Sequence, residues 1–212
     1  MGITANNWLM GLVAPWGFKA PGSEIAAGFD TRGALLTNQF SGPYAELCRQ
    51  GKIYYCSAAA FTMPVNAASL VSKFTIYNPP GSNVNLELIE INAATVVATT
   101  VVDGVGVYYS SAAQTAAGTF TTLGTVSNAL LNGPSGQAQF YSAYTASGTP
   151  TLGRILGGWG AVTDPGPNTV TKDFWGSLAV SPGTAIHVAM TTAASTASGI
   201  TLDAVWAEVP VS

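Results

Sequence analysis

Hydrophobic and polar residues alternate along this chain in short stretches that turn-forming residues interrupt. The alternation is clear at residues 70–77 and again at residues 84–89. The loop 78–83 between them contains two prolines, which cannot donate sheet hydrogen bonds, and Gly81 and Asn83, which tolerate a positive φ. The pattern therefore predicts two antiparallel strands joined by a tight reversal.

The same pattern recurs along the rest of the chain. Further strands are predicted at residues 52–56 and near residues 95–110, 118–126, 137–145, 152–160, 184–190 and 200–209. Turns rich in Gly, Pro, Asn and Ser separate them at intervals of about 8–15 residues. Many short strands with few helix signals predict an all-β fold, an antiparallel β-sandwich or jelly roll. A barrel would give the same pattern and stays open as an alternative.

The N-terminal residues 1–40 follow neither the strand period nor the helix period. They carry isolated large side chains that other protein must bury: Trp8, Leu9, Trp16, Phe18 and Phe29. We interpret this segment as an extended arm whose anchors pack on the flank of the following domain or insert into a neighbouring subunit. Pro43 and Gly51 bracket one predicted short helix. The predicted organisation is an arm at 1–40 and a β-sandwich domain at 41–212.

Charged residues are scarce. The chain has 17 of them, 8% of its residues, whereas an ordinary soluble domain has about 25%. No Asp, Glu, Lys or Arg occurs from Gly104 to Gly153. A surface of small uncharged polar groups offers little repulsion between copies, so we expect self-association, as a homotrimer or larger. The net charge of −3 provides no basic stripe for a nucleic acid, and polar residues interrupt every apolar run before it reaches the length of a membrane helix.

The residues that could carry chemistry are few. His187 is the one histidine of the chain, and it lies within an apolar stretch of a predicted strand. One histidine cannot supply a three-histidine zinc site, and no Gly-x-Ser-x-Gly turn presents a serine. We interpret His187 as a structural residue that packs on the sheet with one ring nitrogen hydrogen-bonded. Glu87 and Glu90 are three residues apart on a strand, so we expect them to point to opposite faces and not to form a catalytic pair. We predict no catalytic residue, no cofactor and no metal site.

Five aromatic residues of the β region are candidates for a sugar-stacking platform. They are Tyr108, Tyr141, Tyr144, Trp159 and Trp175. Packing in the core or at a subunit interface explains them as well as sugar binding does, and we favour packing.

Cysteine usage and the N-terminal residues bear on the compartment. Cys48 and Cys56 are too few for a disulfide framework, and we favour two half-buried free thiols. A single disulfide that closes the short loop between them stays open as an alternative. The first basic residue, Lys19, follows the N-terminal apolar stretch instead of preceding it, so no secretory signal is predicted. We expect the chain to be made in the cytoplasm and to stay unprocessed.

Four stretches of the sequence resemble one family. They are residues 44–54, 74–88, 180–186 and 202–208. In them the chain resembles small structural proteins that tailed bacteriophages encode next to their portal and capsid genes. The family usually has Pro-Ala-Gly-Ser at the tight reversal, whereas this chain has two prolines at 79 and 80, followed by Gly81 and Ser82.

The resemblance implies a virion component with a jelly-roll body. Its implied role is that of a capsid-decorating or cement protein, whose partners are other copies of itself and the phage major capsid protein. It transfers no catalytic residue. Two alternatives stay open: a receptor- or carbohydrate-binding β-sandwich of a virion head or tail fibre, and the jelly-roll shell protein itself. The sequence thus predicts an assembly component that is not an enzyme and binds neither nucleic acid nor membrane.

Overall fold

Strands make up most of the described chain. The computed structural model describes residues 44–62, 71–72, 74–95, 103–110, 125–141, 144–146, 148–159, 169–191 and 199–211. One short helix, α1 (Ala45–Arg49), comes first. The strands follow in chain order: β1 (Ile53–Thr62), β2 (Val71–Ser72), β3 (Thr75–Asn78), β4 (Val84–Thr95), β5 (Asp103–Tyr109), β6 (Ser127–Asn128), β7 (Gln139–Tyr141), β8 (Tyr144–Thr145), β9 (Thr151–Trp159), β10 (Thr169–Asp173), β11 (Ala179–Val180), β12 (Thr184–Met190) and β13 (Gly199–Pro210).

Two antiparallel sheets pack face to face, which confirms the predicted β-sandwich. The first sheet has the order β10-β4-β13-β1-β6, with β11 also paired to β4. The second sheet has the order β7-β3-β12-β5-β9, and β2 pairs with β8 in a separate short ladder.

The order of the long strands is that of a jelly roll. Within the described residues, eight strands have four or more residues, here called the long strands: β1, β3, β4, β5, β9, β10, β12 and β13. The first pairs with the eighth, the second with the seventh, the third with the sixth and the fourth with the fifth. A long hairpin rolled into two sheets has this pairing, which defines the jelly roll among β-sandwiches.

The core lies between the two sheets. Leu202 and Trp206 of β13 belong to one apolar cluster with Val188 and Met190 of β12, and each is exposed by 2% or less. Inward positions alternate with outward ones along both strands, as the sequence pattern predicts. Burial of these side chains drives the sheets together, at about 25 cal/mol for each Å² of apolar surface removed from water.

Two local turn predictions are confirmed, but the strands on either side of the second turn do not pair with each other as predicted. Strand β3 pairs with β12 and β7 in the second sheet, whereas β4 pairs with β13 and β10 in the first, so the reversal connects the two sheets. The helix α1 is followed by Gly51, whose φ of +67° is the left-handed terminator expected there. In the reversal between β3 and β4, Gly81 and Asn83 have φ values of +81° and +58°. The doubled proline of this chain is therefore compatible with a tight turn.

Two predicted strands are wrong. The stretch 70–77 is divided between β2, which pairs with β8, and β3, which pairs with β12 and β7. The stretch 137–145 is not a single strand, because β7 pairs with β3 in the second sheet whereas β8 pairs with β2. The strand predicted at 118–126 falls mostly outside the described residues. The predicted arm at 1–40, with its anchors Trp8, Leu9, Trp16, Phe18 and Phe29, lies outside them entirely and stays a prediction.

Candidate functional surface

The five candidate platform residues occupy different environments. Tyr108 and Tyr144 are buried, with 6% and 0% of their surface exposed, and Tyr141 is half-buried. Trp159 lies in β9, and its side chain is outside the described residues. Trp175 is 63% exposed. Tyr141 and Tyr144 are in contact, with ring centroids 6.0 Å apart, but Tyr144 is fully buried, so the two form no exposed platform. Among the described members of this set, Trp175 is the one that presents an aromatic surface to solvent.

Tyr144 belongs to a closed group on the outer side of the second sheet, here called the His187 cluster: Thr75, Tyr77, Tyr144 and His187. The Nδ1 atom of His187 is hydrogen-bonded to Oγ1 of Thr75 at 2.9 Å. The ring centroid of Tyr144 lies 5.5 Å from that of His187 and 5.9 Å from that of Tyr77. Because the neighbours of His187 on β12 point into the core, its own ring points outward, and the cluster buries it to 2% exposure.

Burial sets the protonation state of the His187 cluster. Desolvation lowers the pKa of His187 to about 4, so the imidazole is neutral at pH 7. Desolvation raises the pKa of Tyr144 to about 12, and the neighbouring hydroxyls of Tyr77 and Tyr141 add to that effect. The Nε2 atom of His187 has no hydrogen-bond partner among the described residues. The prediction that His187 packs on the sheet with one nitrogen hydrogen-bonded is confirmed.

The exposed Trp175 pairs with Tyr44, the half-buried N-cap residue of α1. The two rings are nearly parallel, with an interplanar angle of 21° and centroids 6.0 Å apart. Trp175 has a φ of +52°, a left-handed conformation that is rare for a bulky residue. The sequence analysis missed Tyr44, because nothing in the chain indicates a contact between two aromatic residues so far apart in sequence.

A β-bulge in β4 changes the placement of two carboxylates. Glu90 pairs with Val205 and Glu87 with Ala207, and these two partners are two residues apart on β13. Glu87 and Glu90 therefore lie on the same face of the sheet, and the prediction of opposite faces is wrong. The physical reason is one additional residue, Ile89, which the bulge inserts between them.

The shared face does not bring Glu87 and Glu90 into one network. The Nδ2 atom of Asn92 donates hydrogen bonds to Glu90 and, at 3.0 Å, to Asp203. Glu87 instead borders the aromatic pair, since its Oε2 atom lies 3.5 Å from the position that a Cβ atom on Gly176 would take. The two carboxylates thus belong to different environments.

The aromatic pair has a negatively charged rim. Burial raises the pKa of Tyr44, and the carboxylates of Glu87 and Asp173 raise it further. Asp173 lies opposite Glu90 at the end of β10, two residues before Trp175, and is therefore on the same face of the sheet as Glu87. Trp175, Tyr44, Glu87 and Asp173 therefore form one surface, here called the Trp175 surface.

A second exposed surface lies on the edge strand β9. Leu152 and Ile155, here called the β9 strip, are both exposed large apolar residues. In the pairing of β5 with β9, Leu152 lies opposite Tyr108 and Ile155 opposite Gly106. A Cβ atom on Gly106 would lie 2.5 Å from Cδ1 of Leu152, so the missing side chain lets Leu152 lie against the backbone of β5.

Other chemical groups add no further site. Within the described ranges, no three His, Cys, Asp or Glu side chains are placed to hold a metal ion. No helix in the same ranges is long and apolar enough to cross a membrane. Cys48 and Cys56 are both free, as predicted, and burial raises the pKa of the Cys56 thiol.

The fold and these surfaces define a jelly-roll β-sandwich with an aromatic pair, exposed at Trp175, and an exposed apolar edge strand. Comparisons with known protein families, with curated proteins and with solved structures find no match. The resemblance to phage structural proteins therefore depends on the sequence stretches alone.

Proposed function

We propose that this protein is a virion structural subunit that self-associates and binds the capsid lattice of a tailed phage, as a decoration or cement protein. The observation that carries the proposal is the β9 strip, an exposed apolar surface on the edge of a jelly-roll sheet. The jelly roll also supports it, because this architecture recurs in viral capsid proteins. That support is an analogy at the level of the fold.

The β9 strip has the chemistry of a protein interface. Full burial of each of its two side chains is worth about 1.5–3 kcal/mol relative to exposure, before the costs of association. Arg154 is the one charged residue within β9, and arginine is enriched in interfaces. An edge strand also presents backbone groups that a neighbouring chain can pair with.

The scarcity of charge favours the same role. Burying a charged side chain at an interface costs free energy unless an opposite charge meets it. Because this chain has 17 charged residues in 212, few charged side chains lose their hydration when copies pack together. In the proposal, the arm anchors Trp8, Trp16 and Phe18 provide a second contact, either to a neighbouring copy or to the major capsid protein.

Sedimentation velocity of the full chain tests self-association. We expect a trimer or larger species at micromolar concentration, and a shift toward monomer when Leu152→Asp and Ile155→Asp are combined, because two carboxylates would be buried without partners. Leu131→Asp is the matched control, since Leu131 is 85% exposed and lies outside the β9 strip. Circular dichroism verifies that each variant is folded. A monomeric natural chain, or a double variant with unchanged sedimentation, contradicts the proposal.

Particle binding tests the contact to the capsid. We expect Trp8→Ala combined with Trp16→Ala to lower the occupancy of the protein on purified phage capsids, with Leu131→Asp again as the control. Undiminished occupancy of the double variant contradicts a role of the arm.

The stoichiometry separates the decoration role from the alternative that the jelly roll is the shell protein itself. Densitometry of denatured particles gives the number of copies relative to the major capsid protein. If this chain is the most abundant shell component and no other capsid protein is present, the decoration role is wrong.

A further inference from the structure

The turn that carries Trp175 is fixed by the bulge in β4. The backbone N–H groups of Phe174 and Trp175 both donate hydrogen bonds to the carbonyl of Ile89, at 2.7 and 3.3 Å, and the N–H of Gly176 donates to the carbonyl of Leu88 at 2.8 Å. The bulge therefore supplies the carbonyl groups that hold this turn, and the position of the indole ring is determined by sheet backbone.

The indole ring gains little from this position as a packing residue. Trp175 is 63% exposed and adopts a φ of +52°, where glycine or asparagine would be unstrained. Strained residues that contribute little to packing are concentrated at binding sites. Tyr44 stacks on one side of the indole ring, and the large exposed area of Trp175 leaves room for a second planar partner.

The rim of the Trp175 surface offers strong hydrogen-bond acceptors. An ionised carboxylate accepts several hydrogen bonds and donates none, and hydrogen bonds to it are stronger than those between neutral groups. Glu87 and Asp173 are on this rim, and Glu87 lies beside Gly176, immediately after the tryptophan. A ligand that combines an apolar face with hydrogen-bond donors at its edge would therefore fit this surface.

We infer that the Trp175 surface is a binding site for a neutral hexopyranose, with the C–H face of the sugar on the indole ring and its hydroxyl groups donating to Glu87 and Asp173. Acidic saccharides are disfavoured, because their carboxylate or phosphate groups would meet like charges. This inference does not depend on the proposed assembly role, since the site lies within one chain and does not include the β9 strip.

Saturation-transfer difference NMR on the full chain tests the inference. The neutral probes are methyl glucoside, methyl galactoside and N-acetylglucosamine; the acidic probe is glucuronic acid; the cationic probe is tetramethylammonium chloride. We expect transfer to the ring C–H protons of at least one neutral sugar, with a dissociation constant in the millimolar range and little dependence on salt, and none to glucuronic acid. Binding of the cation alone, or no transfer to any neutral sugar, overturns the inference.

Three variants locate the site. Trp175→Gly removes the indole ring and suits the left-handed backbone, and we expect it to weaken sugar binding about tenfold or more, which corresponds to about 1.4 kcal/mol. Glu87→Gln keeps the stacking ring but weakens the acceptor, and we expect a smaller loss. Tyr109→Ala removes another exposed aromatic ring, at the end of β5 in the second sheet, whereas β4 of the first sheet holds the turn of Trp175. This variant should leave sugar binding unchanged. If Tyr109→Ala weakens binding as much as Trp175→Gly does, the assignment of the site is wrong.

The assembly assay separates the two proposals. Trp175→Gly should sediment like the natural chain, because the β9 strip is intact. A loss of oligomers in this variant would mean that the Trp175 surface is a subunit contact, and would overturn the sugar site.

Discussion

The His187 cluster and the Trp175 surface are built from the same kinds of side chain but differ in their access to solvent. In the first, Tyr144 of the short β2–β8 ladder packs against His187, and each of the two side chains is exposed by 2% or less. In the second, Tyr44 and Trp175 stack just as closely, yet Trp175 is 63% exposed on a strained backbone. The comparison indicates that aromatic residues in this fold serve either packing or binding. A strained backbone together with an exposed ring identifies the aromatic residue that is suited to binding.

The largest expected effect is the loss of a buried ring. We expect Tyr144→Ala to lower the free energy of unfolding by about 3–5 kcal/mol, because it leaves a cavity beside His187 and Tyr77. Urea denaturation followed by circular dichroism measures the change. A loss below about 1 kcal/mol would mean that the cluster is not a packed unit.

The pH dependence of stability gives the next largest effect. The pKa of His187 is 6.5 when unfolded and about 4 when folded, so the unfolded chain binds the proton more tightly. The contribution of neutral His187 to the free energy of unfolding is fully present above pH 6.5. It is lost as the pH falls from 6.5 to 4, and the loss is about 3 kcal/mol in total. Urea denaturation at a series of pH values measures it. In His187→Gln the slope over this interval should be much smaller, and an unchanged slope contradicts the assignment to His187.

Two substitutions of Trp175 isolate the backbone strain. Trp175→Ala keeps a Cβ atom at a φ of +52°, whereas Trp175→Gly removes it. We expect the alanine variant to be less stable than the glycine variant by about 1 kcal/mol, because glycine alone is unstrained there. Equal stability of the two variants would mean that the turn relaxes when the indole ring is removed.

The smallest expected effect distinguishes the two aromatic groups most directly. Relative to the natural chain, Trp175→Gly should change the free energy of unfolding by less than about 0.5 kcal/mol, since relief of strain offsets the lost stacking with Tyr44. Thermal unfolding measures this change. A loss as large as that of Tyr144→Ala would show that Trp175 is a packing residue and would weaken the case for a binding role.

The sheet architecture could be predicted largely from the sequence, because alternation with period two and glycine- or proline-rich turns reflect local physical rules. Strand β13 illustrates this: the alternation with period two places Ile200, Leu202, Ala204 and Trp206 on one face, and all four are buried. The strand at 137–145 could not be predicted correctly, because the division between β7 and β8 depends on which distant strands they pair with. Local patterns carry no information about such partners.

The candidate site could be predicted only in part. Trp175 was identifiable as an aromatic candidate, but its exposure depends on the turn that the bulge in β4 holds. The bulge itself leaves a signal in the sequence, since the buried apolar positions change phase from Leu86 and Leu88 to Ile91 and Ala93. Reading that phase change would have placed Glu87 and Glu90 on one face. The contact of Tyr44 with Trp175 leaves no such signal.

The pairing of the first long strand with the last has a consequence for biosynthesis. Tyr54 of β1 lies opposite Trp206 of β13, so β1 cannot take its place beside its main neighbour until nearly the whole β-sandwich has left the ribosome. Contacts between residues so distant in sequence slow folding and leave strand edges open in the meantime. While translation continues, the emerging chain therefore exposes sticky, unpaired strands, and chaperones that shield nascent polypeptides become important for its yield.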